Sequence, residues 1–230
     1  MSNTTLKIHT GKITRIILES PKGLNLLQVD AIKALISAFS ELKKNKAVEA
    51  IILTGGEAKA FCAGADMNEL VELKTQIPLY VDLGQSLIEM IYHFPVPVIA
   101  AINGYALGAG FSLAMACDLR VLSDTAKIGQ LAVKNGLVPP FGNVQHIIQS
   151  VGPLKARELI YTGRILKPSE AFALGLVNQV CPSSELHGHA ESLAQEITKS
   201  PTYVIQSVKS IIKAFEKFQP QMTALFIKGV

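Results

Sequence analysis

Two stretches of small residues stand where a chain can hold negative charge without using a charged side chain. Ala63-Gly64-Ala65 follows the hydrophobic run Ala50-Ile51-Ile52-Leu53-Thr54 and leads into a helical stretch from Asp66 to Leu73. Gly108-Ala109-Gly110 follows Val98-Ile99-Ala100-Ala101-Ile102 and leads into the small apolar run Phe111 to Cys117, which reads as a buried helix. The segments Ile51 to Leu70 and Val98 to Ala116 therefore share one design: strand, glycine-containing loop, start of a helix. A loop entering a helix offers unpaired N–H groups and the positive end of the helix dipole, and small residues let a substrate approach the backbone. Two such loops side by side would make an oxyanion hole for a carbonyl oxygen that gains charge during a reaction. Tight helix–strand packing is the other use the same residues have.

Side chains near these loops add less. Asp66 and Glu69 have the spacing of a capping box, which assigns the Asp66 carboxylate to the helix start ahead of any ligand. Glu69 and Glu72, on the helix leaving the first loop, read as solvated. His93, just before Phe94-Pro95, reads as a helix end, and His146 as a packing or surface residue on the helix after Gly142. Ser112 is a weak base and reads as a small packing residue facing the site. Gly110-Phe111-Ser112-Leu113-Ala114 loosely matches a nucleophile elbow, with Asp118 or Asp124 and then His146 or His187 in hydrolase order. Ala114 stands where that motif closes on glycine, and a serine hydrolase would leave the first loop without a role. No GxxxxGK[ST], no HExxH and no GxGxxG after the first strand is present, which sets aside nucleotide hydrolysis and metalloprotease chemistry.

The elements that must position these loops are readable from periodicity. Thr5 to His9 and Ile13 to Glu19, joined through Gly11-Lys12, form a hairpin pattern. From Gln28 to Lys44 the apolar residues Val29, Ile32, Leu35, Ile36, Phe39 and Leu42 make the stripe of an amphipathic helix. A further helix is predicted from about Leu79 to Tyr92, stopped by Pro95 and Pro97. Leu119 to Leu122 is another strand. Beyond Pro139 the chain is mostly helical, at Val144 to Ser150, Pro153 to Tyr161, Pro168 to Leu174, Ser184 to Thr198 and Pro201 to Phe215. The pattern predicts one domain over 1–230, with an α/β core over about 1–185 and a helical part over about 186–230.

Composition narrows the function classes. The 230 residues are 49% hydrophobic and 17% charged, enough for a full core. No run approaches the roughly 18 apolar residues of a membrane span, and the polar Met1 to Thr10 does not read as a secretory signal, so the expectation is a cytoplasmic protein. Cys62, Cys117 and Cys181 lack metal-ligand or disulfide spacing and read as reduced thiols. A net charge of +4 with no tryptophan and no basic run argues against nucleic acid and suits a small anionic ligand.

Phe61-Cys62-Ala63-Gly64-Ala65-Asp66 closely resembles the first oxyanion loop of the crotonase (enoyl-CoA hydratase/isomerase) superfamily, and Asn103-Gly104-Tyr105-Ala106-Leu107-Gly108-Ala109-Gly110 resembles the second. Pro21-Lys22-Gly23-Leu24-Asn25 is similar to the family's early CoA-contacting loop, and the likeness continues through Ala116-Cys117-Asp118-Leu119-Arg120 and Gly175-Leu176-Val177-Asn178. The resemblance implies a ClpP/crotonase-like α/β fold of repeated ββα units with a helical C-terminal region. It implies that the amides of Ala65 and Ala109 bind a thioester oxygen, and that Lys22, Leu24, Lys59, Ala60, Ala63, Asp66 and Met67 line the CoA channel. CoA arrives with the substrate; no metal or other cofactor is expected. A homotrimer or homohexamer is implied, with Leu225 and Phe226 suited to subunit packing; members of the family continue past the equivalent of Val230 through further helices that cover the acyl pocket.

One departure stands out. Hydratases of this family carry two glutamates, and their places here hold Ser112 and Ala132. Water addition needs one group to activate water and another to deliver a proton, each worth about 10²–10⁴ in rate. The expectation is therefore isomerase- or decarboxylase-like enolate chemistry rather than classical hydration. A non-catalytic acyl-CoA binder is the alternative within the fold.

Overall fold

The computed structural model describes residues 3–139 and 141–227, with side chains described for all of these but Asn143 and 217–227. In chain order the elements are β1 (Thr5–His9), β2 (Ile13–Glu19), α1 (Val29–Lys44), β3 (Ala50–Thr54), β4 (Ala60–Cys62), α2 (Met67–Leu73), α3 (Ile77–Tyr92), β5 (Val98–Ile102), β6 (Tyr105–Leu107) and α4 (Ala109–Ala116). There follow β7 (Leu119–Ser123), β8 (Lys127–Gly129), α5 (Asn143–Thr162), α6 (Pro168–Ala173), β9 (Gln179–Cys181), α7 (Leu186–Ile197) and α8 (Thr202–Ile227).

The main sheet has the order β1-β2-β3-β5-β7-β9 and is parallel except for the β1–β2 hairpin. Both β3 and β5 are buried along their whole length, which is why they read as unbroken hydrophobic runs and not as alternating ones. Successive residues nevertheless serve opposite faces. Ile51, Leu53 and Ala100 join the larger core with Ile32, Leu35 and Phe39 of α1 and Leu87, Ile88 and Ile91 of α3. Ala50, Ile52, Ile99 and Ala101 pack instead with Leu186, Ala190 and Ala194 of α7. The sheet is thus covered on both sides, as a parallel sheet requires.

A second sheet of three short parallel strands, in the order β4-β6-β8, was not apparent from periodicity. Each strand has three residues, too few to show alternation. With it the chain resolves into successive strand–strand–helix units: β3-β4-α2, then β5-β6-α4, then β7-β8 followed by a 3₁₀ turn over Ala132–Asn135.

The helical expectations hold with small shifts. The helix expected from Leu79 starts earlier, at Ile77 after a 3₁₀ turn over Lys74–Gln76, and it ends at Tyr92, with His93 as its cap ahead of Pro95. The two helices expected around Gly152-Pro153 form one element, α5, broken at Gly152, whose φ of 73° and ψ of 165° are not helical. α8 runs on to Ile227, past the expected end at Phe215. Leu225 and Phe226 lie outside the described side chains, and Lys228 to Val230 outside the described residues. Among the described residues no helix is long and apolar enough to cross a membrane.

Candidate active site

The second sheet brings together three loops that are far apart in sequence. β4 runs straight into Ala63-Gly64-Ala65, β6 into Gly108-Ala109-Gly110, and β8 into Gln130-Leu131-Ala132. Parallel register, Cys62 opposite Ala106 and Leu107 opposite Gly129, sets the three loops at the same end of the sheet. The amide of Gly108 donates to Gly129 O at 2.9 Å, tying the second loop to the third. The first loop is tied to the early Gly23–Leu27 segment: Ala60 N donates to Gly23 O, Ala63 N to Leu24 O and Leu27 N to Gly64 O, at 2.8–2.9 Å.

Two glycines show why small residues are required. A Cβ on Gly110 would lie 1.9 Å from Cys62 O, so the start of α4 can press onto β4 only without a side chain there. Gly64 has a φ of +114°, and a Cβ on it would meet Leu107 O at 2.8 Å and Ala109 N at 3.7 Å. The two small-residue loops are therefore in backbone contact. Among the described residues, no hydrogen bond is donated by the amide of Ala65 or of Ala109. Ala109 is the first residue of α4, where the helix leaves its amide without an internal partner.

Ala63, Gly64, Ala65, Gly108 and Ala109 form one wall of a cavity of about 180 Å³. Met67, Leu70, Ile77, Tyr80, Val81, Leu131, Ala132, Leu137 and Val138 supply an apolar remainder, with Gln130 and Asn135 as its polar side chains. Gln130 Oε1 accepts from Ala132 N at 3.2 Å, which holds the third loop in shape. Tyr80 closes one side. Its hydroxyl donates to Leu27 O at 2.8 Å, its ring packs on Phe141 at 5.6 Å, and burial pushes its pKa well above the usual phenol value. Tyr80 and Gln130 carried no signal in the sequence, because each joins the site through a tertiary contact from a separate element.

Ser112 and Ala132, the positions that the resemblance matches to hydratase glutamates, differ in placement. Ala132 lines the cavity. Ser112 is fully buried, and its hydroxyl turns back on its own helix to donate to Gly108 O at 3.3 Å. Ser112 lies outside the cavity-lining set, and among the described residues no histidine hydrogen-bonds it. The acidic residues of α2 are also placed. Asp66 caps α2, accepting from Asn68 N and Glu69 N, and accepts from Gln28 Nε2 at 2.9 Å. Glu69 is not the solvated residue expected, nor does it complete a capping box with Asp66. Its half-buried carboxylate accepts from Val29 N at 3.1 Å and so caps the first turn of α1, while burial raises its pKa. Glu72 is exposed.

Lys22, Leu24 and Lys59 line a separate, open groove that also holds Lys7, Arg15 and His187. Of the other residues expected along a CoA channel, Ala63 and Met67 line the inner cavity, and Ala60 is fully buried in β4. The side chain of Asp66 is committed to its helix cap. Gly23 and Leu24, which line the groove, belong to the segment paired along the first loop. Cys62, buried behind the first loop, has its thiol pushed up to about 12 by desolvation and is inert as a nucleophile.

A cavity of about 370 Å³ on another part of the molecule, between α8 and the ends of α3, β5 and β7, has a contrasting character. Lys209 donates to Asp118 at 2.6 Å and to Val96 O at 3.0 Å, and Asp118 also accepts from Val98 N at 2.8 Å. Lys213 stands over the Tyr92 ring, 3.4 Å from its centroid, between Asp118 and Glu216. Tyr92 donates to Glu216 and packs against His146, whose pKa is lowered to about 4, first by burial and then by Lys213 and Arg120.

A family model described as enoyl-CoA hydratase/isomerase matches residues 9–226. The chain is 36% identical over 211 residues to a short-chain-enoyl-CoA hydratase of Clostridium acetobutylicum, covering 91% of this chain and 81% of that one. It is 36% identical over 200 residues to a crotonyl-CoA hydratase of Syntrophomonas wolfei, covering 86% and 77%. Among solved structures, an enoyl-CoA hydratase from Bacillus anthracis superposes with a TM-score of 0.89 at 31% identity, covering 99% of this chain and 90% of that one. With a crotonase fold and a match along nearly all of its length, the chain belongs to the enoyl-CoA hydratase/isomerase family.

Proposed function

We propose that this acyl-CoA-processing protein polarises a thioester carbonyl between the amides of Ala65 and Ala109 and stabilises the enolate that forms there. The observation that carries this reading is the contact of two small-residue loops that line an apolar cavity and in which, among the described residues, the amides of Ala65 and Ala109 donate no hydrogen bond. Preorganised N–H donors in such a place are worth far more than in water, about 10²–10³ in rate per donor. The groove bearing Lys22 and Lys59 suits the phosphates of CoA, and the inner cavity suits the acyl group.

The relatives quoted above are named as hydratases. Ser112 and Ala132 stand in place of the hydratase glutamates in this chain, so water addition lacks both its base and its acid. Chemistry that needs the carbonyl site but not that pair, isomerisation or decarboxylation, fits better. Saturated, 2-enoyl, 3-enoyl and carboxylated acyl-CoAs incubated with the protein in deuterated water and followed by mass test the reading. Double-bond migration, α-deuteration or loss of carbon dioxide is the expected outcome. Binding of thioesters with no change in any of them would make the protein a binder and not an enzyme.

A further inference from the structure

The proposed carbonyl site leaves open which bond supplies the electrons of the enolate. A thioester oxygen held by Ala65 and Ala109 directs its α-carbon into a cavity where Tyr80 is the one ionisable lining side chain among the described residues. Tyr80 is a poor base: its phenol stays protonated through the pH range of catalysis and is already committed to Leu27 O. Asp66 and Glu69 are occupied as helix caps, and Ala132 offers only a methyl group. Hydration, α-proton exchange and double-bond migration each require a group to remove a proton from carbon or water. Loss of an α-carboxylate does not.

We propose that the chain acts on 2-carboxyacyl-CoA thioesters and decarboxylates them. The bond between the α-carbon and the carboxyl carbon breaks, and carbon dioxide leaves. The electron pair moves into the thioester, with the charge on the oxygen facing Ala65 and Ala109. Water then protonates the α-carbon, and the hydroxide left behind combines with the carbon dioxide as bicarbonate. Leu70, Val81 and the Ala132 methyl favour this step, because a compact carboxylate charge becomes a dispersed enolate charge held by amides.

This inference rests on the carbonyl-site reading, and its test separates the two. Malonyl-CoA and methylmalonyl-CoA are compared with butyryl-, crotonyl- and 3-butenoyl-CoA in deuterated water, with binding measured for each. The expected result is carbon dioxide release with one deuterium gained at the α-carbon, at least about 10²-fold faster than exchange or isomerisation of the uncarboxylated thioesters. Ala132→Glu puts a carboxylate into the cavity and is expected to slow decarboxylation about tenfold or more. Isomerisation or exchange of uncarboxylated thioesters at a comparable rate would show that a base is at hand and overturn the inference, leaving the carbonyl site intact. Binding of every thioester with turnover of none would also overturn it, whereas binding of none would remove the carbonyl-site reading as well.

Discussion

At the ends of β4, β6 and β8 the chain gathers backbone amides, alanines and glycines around a cavity with hardly a charged side chain. Beneath α8 it crowds Asp118, Lys209, Lys213, Glu216 and His146 around another. The charged cavity is the one that stands out as a binding place, but its groups are spent on one another and on the backbone. Asp118 alone joins Val98 of β5 to Lys209 and Lys213 of α8. The uncharged cavity keeps the donors that are left over. Charge in a site reveals how much interaction is already consumed there; unpaired, fixed dipoles reveal what remains for a ligand.

The sharpest way to break this comparison is to take one N–H donor out of the site. Ala109→Pro does so, because proline is tolerated at the first position of a helix and lacks the N–H. Turnover of the substrate is expected to fall about 10²–10³-fold, while the thermal midpoint stays near that of the parent protein. Gly110→Ala strikes the same site through packing. Its Cβ would need the space 1.9 Å from Cys62 O, so the α4 start must lift off β4. A loss of about 3 kcal/mol in denaturant stability, together with lost turnover, is expected.

In the charged region the two effects separate the other way. Asp118→Ala strands the buried Lys209 ammonium and is expected to cost about 3 kcal/mol of stability, with turnover per folded molecule unchanged. Loss of thioester turnover at full stability would make the α8 cavity part of the active site and erase the contrast. The smallest effect concerns pH. His146 refuses a proton down to about pH 4 in the folded chain but accepts one near its ordinary value when unfolded. Stability is therefore full above about pH 6.5 and falls as pH drops through the window to 4, by roughly 1–2 kcal/mol after allowance for solvent screening. Urea titrations across that range should show the slope, and His146→Gln should flatten it.

Much of this molecule was legible in its sequence, and the illegible parts share a cause. α1, β3 and β5 announce themselves through periodicity or unbroken apolar runs, and the two loops through small residues at strand ends. β4, β6 and β8 were hidden because three residues cannot show a period, although these strands aim the loops. Glu69 read as solvated because its partner, Val29, is forty residues away at another helix start. Tyr80 and Gln130 enter the cavity only once α3 and β8 are packed beside the first loop, so no local pattern marks them.

The central claim is that Ala65 and Ala109 polarise a thioester carbonyl, and a bound chromophore reports on it directly. A conjugated thioester such as 2,4-hexadienoyl-CoA absorbs at longer wavelength when donors pull electron density toward its carbonyl oxygen. The account predicts a red-shifted absorption on binding to the parent protein, and a shift largely lost in Ala109→Pro at ligand concentrations that saturate both. An unshifted spectrum in the parent complex, or an equal shift in the variant, would contradict it.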